Sequence, residues 1–341
     1  MIEINGLKEE ELYDGKIALI TSDTGVKNGK TFKMNQETDD STGFYYWVEI
    51  WRGGWYTYNY FKEHDYSELL KYSAVVLQGE YLDILIKIAK FLKGKVVTIL
   101  YPEYELGLRS IVTLFREEIE VWKSVDVIMN WEEHTGSCYE TLSGVPAPFV
   151  FVPIREPMAQ GEFLVPFDKK DDNLVIYGDN NNNNPHIAAG VAKRLNKSII
   201  TVMINEEKSN LLKELFGVTI AGSFYKLATY PFLRLLGKSK LHVYPNSRIG
   251  TNREQISCAC VGTPCIGNML SHTQRRLFPK LGCDFRDIDT MVALATKLLE
   301  DRNFYKEIVD YAWNGVQFYN IENTKRRFME AYLIGRKRAG I

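Results

Sequence analysis

Residues 241–268 read LHVYPNSRIGTNREQISCACVGTPCIGN. The apolar run at 241–244 predicts a strand, and the small side chains at 257–261 predict a helix that packs close to a sheet. The turn at 245–250 places polar, basic and glycine residues at the carboxyl end of that strand. A second short strand begins at 265–267. The order strand, turn, helix and strand predicts a parallel sheet with helices packed against it.

The same alternation of strand and helix runs through most of the chain. Strand-like runs lie at 16–21, 55–61, 74–77, 95–100, 125–129, 149–152, 173–177, 198–202, 218–220 and 241–244. Most segments between them are amphipathic at the helical period, and continuous β-branched runs of this kind are typical of parallel strands buried on both faces. Residues 154–172 lose this period and carry Pro, Gly and charge, which indicates a linker. The predicted fold class is therefore α/β, with two Rossmann-like domains facing across a cleft.

The length of 341 residues exceeds one ordinary core and predicts two domains. We expect an N-terminal Rossmann-like domain at 1–155, a linker at 156–172 and a C-terminal Rossmann-like domain at 173–320. Residues 321–341 are expected to form a last helix that packs back on the N-terminal domain.

One aromatic-rich segment admits two interpretations. In a helix that starts at Ser41, the side chains of Phe44, Trp47, Val48 and Trp51 fall on one face. A stacking platform for a base or a sugar is the first interpretation. Core packing is the second, and the helical period favours it.

Composition argues against several classes of protein. The chain is 45% hydrophobic and 25% charged with a net charge of −1, which does not indicate wholesale electrostatic binding of nucleic acid. No apolar run approaches the roughly 20 residues of a membrane span, and the acidic start MIEINGLKEEELYDGK is unlike a signal peptide. Five cysteines, three of them close together in sequence, indicate a reducing compartment, and we expect the cytoplasm.

The crowded cysteines raise the question of a metal site. Cys258, Cys260 and Cys265 are followed by His272. A zinc site is the alternative, but C-A-C-x4-C lacks the paired two-to-four-residue spacings of structural zinc sites. We therefore predict no metal site, with reduced cysteines acting as small apolar residues.

The turn and helix start after residue 244 suit an anion. A helix N-terminus presents free amide groups and the positive end of its dipole, here with Thr251 or Asn252 as the predicted cap. Arg248 and Arg253 could add charge-assisted hydrogen bonds to phosphate oxygens. A capped structural helix with a surface arginine explains the same residues, and both interpretations stay open.

Several segments resemble the GT-B glycosyltransferases. ACVGTPCIGN, residues 259–268, resembles the A-C-G-T-P-V-I segment of these enzymes, in particular of retaining glycosyltransferase family four. VTIAGSF at 218–224, LLGKSKLHVYPNS at 235–247 and the closing pattern at 287–332 agree in order, and TGFYYWVEIWRGGWYTYNYF at 42–61 resembles the first helix, glycine turn and second strand. The resemblance covers most of the chain as architecture, and its specific motif lies within 241–268.

The resemblance implies transfer of a sugar from a UDP- or GDP-sugar to an acceptor. The C-terminal domain would hold this donor. The nucleotide-sugar is a co-substrate, and no cofactor is implied. Gly222 and Ser223 would lie near the nucleobase. Ribose, phosphates or donor sugar would lie on the turn formed by Arg248, Gly250, Thr251, Asn252 and Arg253. Gly25, in the loop after the first strand, would let the backbone approach a phosphate.

The catalytic residues depart from the family pattern. Ser257 stands where the family has its second glutamate, so Glu254, one turn earlier, is the candidate carboxylate. Tyr101 stands in place of a family histidine, and Arg248 would stabilise the leaving group. The expected reaction is metal-independent and retains configuration.

Two rival functions and several acceptors stay open. A nucleotide-sugar epimerase of the same fold and a non-catalytic nucleotide-sugar binder are the rivals. The acceptor could be a glycan, a lipid or a modified DNA base. The basic clusters at 325–327 and 336–338 suit contact with DNA phosphate or peripheral contact with a membrane, while a solvated helix face is the simpler explanation.

Overall fold

The structure is a computed structural model. It describes residues 2–12, 16–21, 29, 46–79, 82–102, 116–151, 153–154, 156–178, 182–225, 227–248 and 250–341.

The elements of the first half follow one another as strand and helix. They are β1 (Glu3–Ile4), β2 (Leu7–Lys8), β3 (Ile17–Thr21), α1 (Tyr46–Trp51), β4 (Gly54–Thr57), α2 (Tyr60–Glu63), β5 (Ala74–Gln78), α3 (Leu82–Leu92), β6 (Val97–Tyr101), α4 (Arg116–Ser124), β7 (Val127–Ile128) and α5 (Gly136–Ser143).

The second half repeats the alternation and ends in helices. Its elements are β8 (Leu174–Tyr177), α6 (Pro185–Arg194), β9 (Ile199–Val202), α7 (Glu206–Phe216), β10 (Ile220–Phe224), α8 (Thr229–Lys238), β11 (His242–Tyr244), α9 (Arg253–Cys260), β12 (Cys265–Asn268), α10 (His272–Leu277), β13 (Gly282–Cys283), α11 (Ile288–Glu300), α12 (Arg302–Gly315) and α13 (Ile321–Ala339). Short 3-10 turns at Glu156–Ala159 and Phe167–Lys169 precede β8.

Internal contacts divide the chain into two compact units. Unit 1 takes the described residues of Met1–Met34, Thr42–Ile154 and Ile321–Ile341, and unit 2 takes those of Arg155–Asn320. The last helix, α13, thus belongs to unit 1, where it packs on β6 and β7.

The main sheet of unit 1 is parallel, with the order β4-β3-β5-β6-β7. Counted along the chain this is the order 2-1-3-4-5 of flavodoxin-like sheets. Successive side chains of β3 are all buried and alternate between two apolar clusters: Ala18 and Ile20 belong to one, Ile17 and Leu19 to the other. Both faces of the sheet are therefore covered, as the β-branched runs predict.

The aromatic face of α1 lies in the second of these clusters. Trp47, Val48 and Trp51 are buried there, and the ring of Phe328 in α13 lies 4.7 Å from Trp47 and 5.5 Å from Trp51 between centroids. Core packing is thus confirmed for these three residues, while Phe44 lies outside the described residues.

The sheet of unit 2 is also parallel, with the order β10-β9-β8-β11-β12-β13. Counted along the unit this is 3-2-1-4-5-6, the order of the Rossmann fold. The direction of winding reverses between β8 and β11, which makes this pair the topological switch point. The α/β class with Rossmann-like sheets is confirmed.

Several expected strands are shorter than predicted or shifted; the run at 218–220, for example, corresponds to β10 at Ile220–Phe224. The run at 55–61 is strand only as far as Thr57, whose hydroxyl accepts a hydrogen bond from the Tyr60 amide at 3.1 Å where α2 begins. The run at 149–152 contributes a single bridge, Asn130 to Phe149. Within the residues described, no helix combines the length and the apolar character needed to cross a bilayer.

Candidate functional site

The candidate site lies at the carboxyl ends of β8 and β11 in unit 2. In open parallel sheets, ligands bind outside the strand ends at the switch point. Two segments meet there, residues 182–184 after β8 and residues 245–248 after β11. The stretch that follows β11 in sequence therefore sits where the fold favours a ligand.

Asparagine side chains join these two segments. Asn184 Nδ2 donates to the Pro245 carbonyl at 2.9 Å, and Asn246 Nδ2 donates to Asn183 Oδ1 at 2.6 Å. The Ser247 amide donates to the Asn182 carbonyl at 2.8 Å. These cross-links hold the two loops together, so the asparagines at 182–184 are structural parts of the site.

Gly178, directly after β8, is required by this arrangement. Its φ is +77°, in the left-handed region, and a Cβ there would lie 1.7 Å from Asn183 Nδ2. A side chain at this position would therefore displace Asn183 from the bond that it accepts from Asn246.

The residue predicted to cap helix α9 does not cap it. Asn252 stands at the N-cap position, but its side chain forms no capping bond and donates to Ser271 Oγ at 2.9 Å. The Asn252 amide donates to Thr273 Oγ1 at 2.8 Å. Gly250 accepts from Ser271 Oγ at 3.2 Å, and Thr251 is buried. Gly250, Thr251 and Asn252 therefore form a buried turn fixed to the start of α10.

Arg253 forms an ion pair with Glu156, whose side chain is 1% exposed. Its Nη2 also donates to Thr229 Oγ1 at 3.4 Å. A buried carboxylate needs a partner of opposite charge, and Arg253 supplies it. The arginine is thus engaged within unit 2 at the same place where the sequence predicts a phosphate contact.

Glu254 lines a small pocket of about 30 Å³ beside the start of α9, the α9 pocket. The other lining residues are Tyr177, Val202, Leu227, Thr229, Phe232, Arg253 and Ser257. Burial raises the pKa of the Glu254 carboxyl above its usual value, although Arg253, the Tyr244 hydroxyl and Arg248 act in the opposite direction. Arg248 is half-buried, and its amide donates to Asn246 Oδ1 at 2.6 Å. A carboxylate and two guanidinium groups therefore share one electrostatic environment.

Ser257 follows Glu254 on the same side of α9 and is buried in the same pocket. Its hydroxyl has no hydrogen-bond partner among the described residues. Buried hydroxyls are ordinarily paired, so this one is a candidate contact for a polar ligand.

Gly222 and Ser223 lie on β10, an edge strand separated from β8 by β9. Ser223 Oγ accepts a hydrogen bond from Thr201 Oγ1 at 2.9 Å. Ser223 also lines a separate open cavity of about 540 Å³ together with Ser209, Lys213 and Tyr225. The predicted binding residues of unit 2 therefore fall into two groups, one in the turn and first residues of α9 and one on β10.

The predicted residues of unit 1 are described in part. Tyr101 ends β6, and its ring is stacked with Trp131 at 6.5 Å between centroids and 23° between planes. Gly25 lies outside the described residues.

Sequence reasoning missed three polar side chains at or near the start of α9. Glu156 comes from the segment predicted as a linker, and Thr229 starts α8. Tyr244 is the polar end of the apolar run LHVYP, and its hydroxyl donates to Asn183 Oδ1 at 3.1 Å and accepts from Asn246 Nδ2 at 2.7 Å. The one available signal was the tyrosine at a predicted strand end, which marks a polar group at the sheet's carboxyl edge.

Comparison with known proteins defines the fold. No protein-family model matches the chain, and no curated protein matches its sequence. A UDP-forming alpha,alpha-trehalose-phosphate synthase from Burkholderia xenovorans superimposes with a TM-score of 0.66 at 9% identity, over 94% of this chain and 99% of that one. An alpha-glucosyltransferase in complex with UDP gives 0.60 at 10% identity, over 94% and 99%. This is the GT-B fold.

A third match supports the same fold. TarM from S. aureus gives a TM-score of 0.63 at 10% identity, over 81% of this chain and 58% of that one. These neighbours are GT-B glycosyltransferases with two Rossmann-like domains. At such identities the likeness concerns the fold, and the chemistry has to be argued from the side chains.

Proposed function

We propose that the chain is a glycosyltransferase that moves a sugar from a UDP- or GDP-sugar to an acceptor. Unit 2 would bind the donor and unit 1 the acceptor. The observation that carries the proposal is the turn and helix start after β11, at the switch point of a Rossmann-ordered sheet, where Arg248 and Arg253 lie near Glu254. The GT-B fold and its glycosyltransferase neighbours support this assignment.

The donor diphosphate would lie against the first turn of α9. The leading amides of a helix have no partner within it and favour an anion. Arg248 would neutralise the leaving phosphate as the bond to the sugar breaks. Because Arg248 and the helix amides supply positive charge, the scheme needs no divalent cation. Arg253, paired with Glu156, would hold the pocket in shape.

Glu254 would act as the carboxylate beside the donor sugar, with Ser257 as a hydrogen-bonding neighbour. The buried turn of Gly250, Thr251 and Asn252 would support ribose and phosphate through its backbone. Gly222 and Ser223 would contact the nucleobase from the edge strand. Tyr101 as a catalytic residue and Gly25 as a phosphate neighbour rest on the resemblance to retaining family four, as does retention of configuration.

The acceptor is proposed only as a class. One structural neighbour is a trehalose-phosphate synthase in complex with glucose-6-phosphate, and another is an alpha-glucosyltransferase in complex with UDP-glucose and DNA. In α13, Lys325 pairs with Glu9, and Arg338 donates to the Gly144 carbonyl at 2.8 Å. Arg326, Arg336 and Lys337 are exposed on the same helix and would meet lipid or DNA phosphate. Free cysteine thiols at all five positions favour the cytoplasm.

A donor panel tests the proposal. UDP- and GDP-sugars should raise the melting temperature, since a ligand that binds only the folded state stabilises it. Arg248→Ala should lower donor turnover by about 100-fold or more. Arg286→Ala is the matched control, because Arg286 pairs with Asp284 at an exposed position.

Three outcomes would redirect the assignment. No binding of any nucleotide would contradict it. Donor affinity without turnover on any acceptor would favour a non-catalytic binder, consistent with Ser257 in place of a glutamate. Conversion of the donor with no acceptor present would indicate an epimerase.

A further inference from the structure

A second cluster of reactive side chains lies in the core of unit 2, outside the α9 pocket. One ligand atom from each of His242, Cys258 and Cys265 lies within 4.8 Å of the other two. All three side chains are fully buried, at 0% exposure. Buried thiols are common, but an imidazole is costly in an apolar core unless both ring nitrogens have partners, so its position between two cysteines calls for a physical reason.

Three different elements deliver these residues. His242 on β11 and Cys265 on β12 are direct partners in the parallel register. Cys258 comes from α9, which packs over the sheet. The spacing of these residues in the sequence does not predict the cluster. Cys260 and His272 are closer in sequence to Cys258 and Cys265 than His242 is, but they are not part of it.

The histidine is oriented as a ligand. His242 Nδ1 lies 2.8 Å from the Val175 carbonyl, to which it donates in the neutral tautomer. Its Nε2 is then a lone-pair acceptor, and it has no hydrogen-bond partner among the described residues. Metal-bound histidines in proteins commonly have one ring nitrogen fixed by a carbonyl in this way.

The charge of the occupied site depends on the ion that it holds. The cluster offers two buried sulfur atoms and one buried ring nitrogen. A metal ion would displace both thiol protons as it binds the two sulfurs. Two thiolates balance the charge of Zn²⁺. With Cu⁺ one negative charge would remain on the site.

We propose that His242, Cys258 and Cys265 bind one thiophilic d10 cation, Zn²⁺ or Cu⁺. A ligand set of one imidazole and two thiolates matches the preference of these ions for soft ligands. Zn²⁺ ordinarily takes four ligands, whereas three are at hand here, so the two ions have to be told apart by experiment. The site would clamp α9 to β11 and β12, and it stands independently of the proposed glycosyl transfer.

Metal content and spectroscopy test the site. The full chain, freed of any purification tag, would be produced in medium with added zinc or added copper. We expect about one ion per chain from one of the two cultures. Absorption spectroscopy at the edge of that metal should show two sulfur neighbours at about 2.3 Å and one nitrogen at about 2.0 Å.

Matched variants separate this site from others. Cys258→Ser and Cys265→Ser should reduce the bound metal at least about tenfold. Cys260→Ser, buried on the same helix but outside the cluster, should keep it. Protein without metal from both cultures would overturn the proposal, as would coordination by oxygen and nitrogen alone. If a variant fails to fold, the sulfur count of the unaltered chain decides.

Discussion

The α1 and α13 side of unit 1 and the α9 and α10 side of unit 2 cover their sheets with different chemistry. In unit 1 the buried layer is aromatic and aliphatic, with Trp47, Trp51 and Phe328 at its centre. In unit 2 the corresponding layer is mixed: beside apolar Ile256 and Leu277 it buries the polar side chains of Gln255, Ser271, Thr273 and Gln274. An apolar layer tolerates many packings, whereas a buried polar layer is stable only when each group meets its partner. The packing with the more specific geometry is therefore that of unit 2, next to the candidate site.

Gln274 illustrates the polar layer. Its Nε2 donates to the Cys265 carbonyl at 3.0 Å and the Phe278 carbonyl at 3.1 Å, and its Oε1 accepts from Gln255 Nε2 at 2.7 Å. One side chain thus links α9, α10 and β12. Such a network has fixed geometry because hydrogen bonds are directional.

The largest loss of stability is expected from a substitution in the apolar layer of unit 1. Trp51→Ala should lower the free energy of unfolding by about 4–5 kcal/mol, because it leaves a cavity beside Phe328 and Trp47. Urea denaturation followed by tryptophan fluorescence and circular dichroism measures it. Leu70→Ala, at a position 44% exposed, should cost under about 1 kcal/mol. Equal losses for the two variants would argue against the apolar layer as the centre of unit 1.

The next effect tests the buried ion pair of unit 2. Arg253→Met should destabilise by about 3 kcal/mol, because Glu156 would remain as a buried carboxylate without its partner. Arg286→Met removes one side of an exposed pair and should change stability by less than about 1 kcal/mol. A small loss for Arg253→Met, measured by the same denaturation, would mean that water reaches Glu156.

Gln274→Leu tests the hydrogen-bond network of unit 2. It should cost about 2 kcal/mol, because two carbonyls and the Gln255 amide lose their partner. The double variant Gln255→Leu/Gln274→Leu should recover part of this loss, since both sides of one hydrogen bond are then apolar. A double-mutant cycle by urea denaturation measures the coupling. Additive losses would contradict a shared network.

Gly178→Ala tests the loop after β8. The left-handed φ and the overlap with Asn183 should cost about 1–2 kcal/mol of stability. Affinity for UDP or GDP, measured by calorimetry, should fall about tenfold as the loop shifts, a change of about 1.4 kcal/mol in binding. Gly144→Ala is the control, because Gly144 shares the positive φ but has open space around it. Equal affinities would separate the loop from the donor site.

The smallest effect concerns Glu254. Burial raises its pKa, so its ionised form is lost as the pH falls through a value above the usual 4.5. Donor turnover should therefore decline on the acid side from above pH 4.5, and Glu254→Gln should have low turnover without this decline. Because the ionised group is disfavoured by folding, the same variant should raise the melting temperature at pH 7 more than at pH 4. A lower melting temperature of Glu254→Gln than of the unaltered chain at pH 7 would contradict a raised pKa of Glu254.

The sequence predicted the layers of the fold well and the contacts of the site only in part. Runs such as 74–77 and the face of Trp47, Val48 and Trp51 are local patterns, and they appear as buried strand and buried helix face. Proximity of Arg248 to Glu254 also followed from their spacing after one strand. The pairing of Arg253 with Glu156 did not, because 97 residues separate them.

The sequence by itself determined the alternation of strands and helices, because the period of apolar residues acts over one or two turns of chain. Only the tertiary structure decided that β8 and β11 would be neighbours, that Gly222 and Ser223 would lie on an edge strand, and that His242 would meet Cys258 and Cys265. Those meetings depend on strand order, and strand order is set by the packing of segments far apart in sequence.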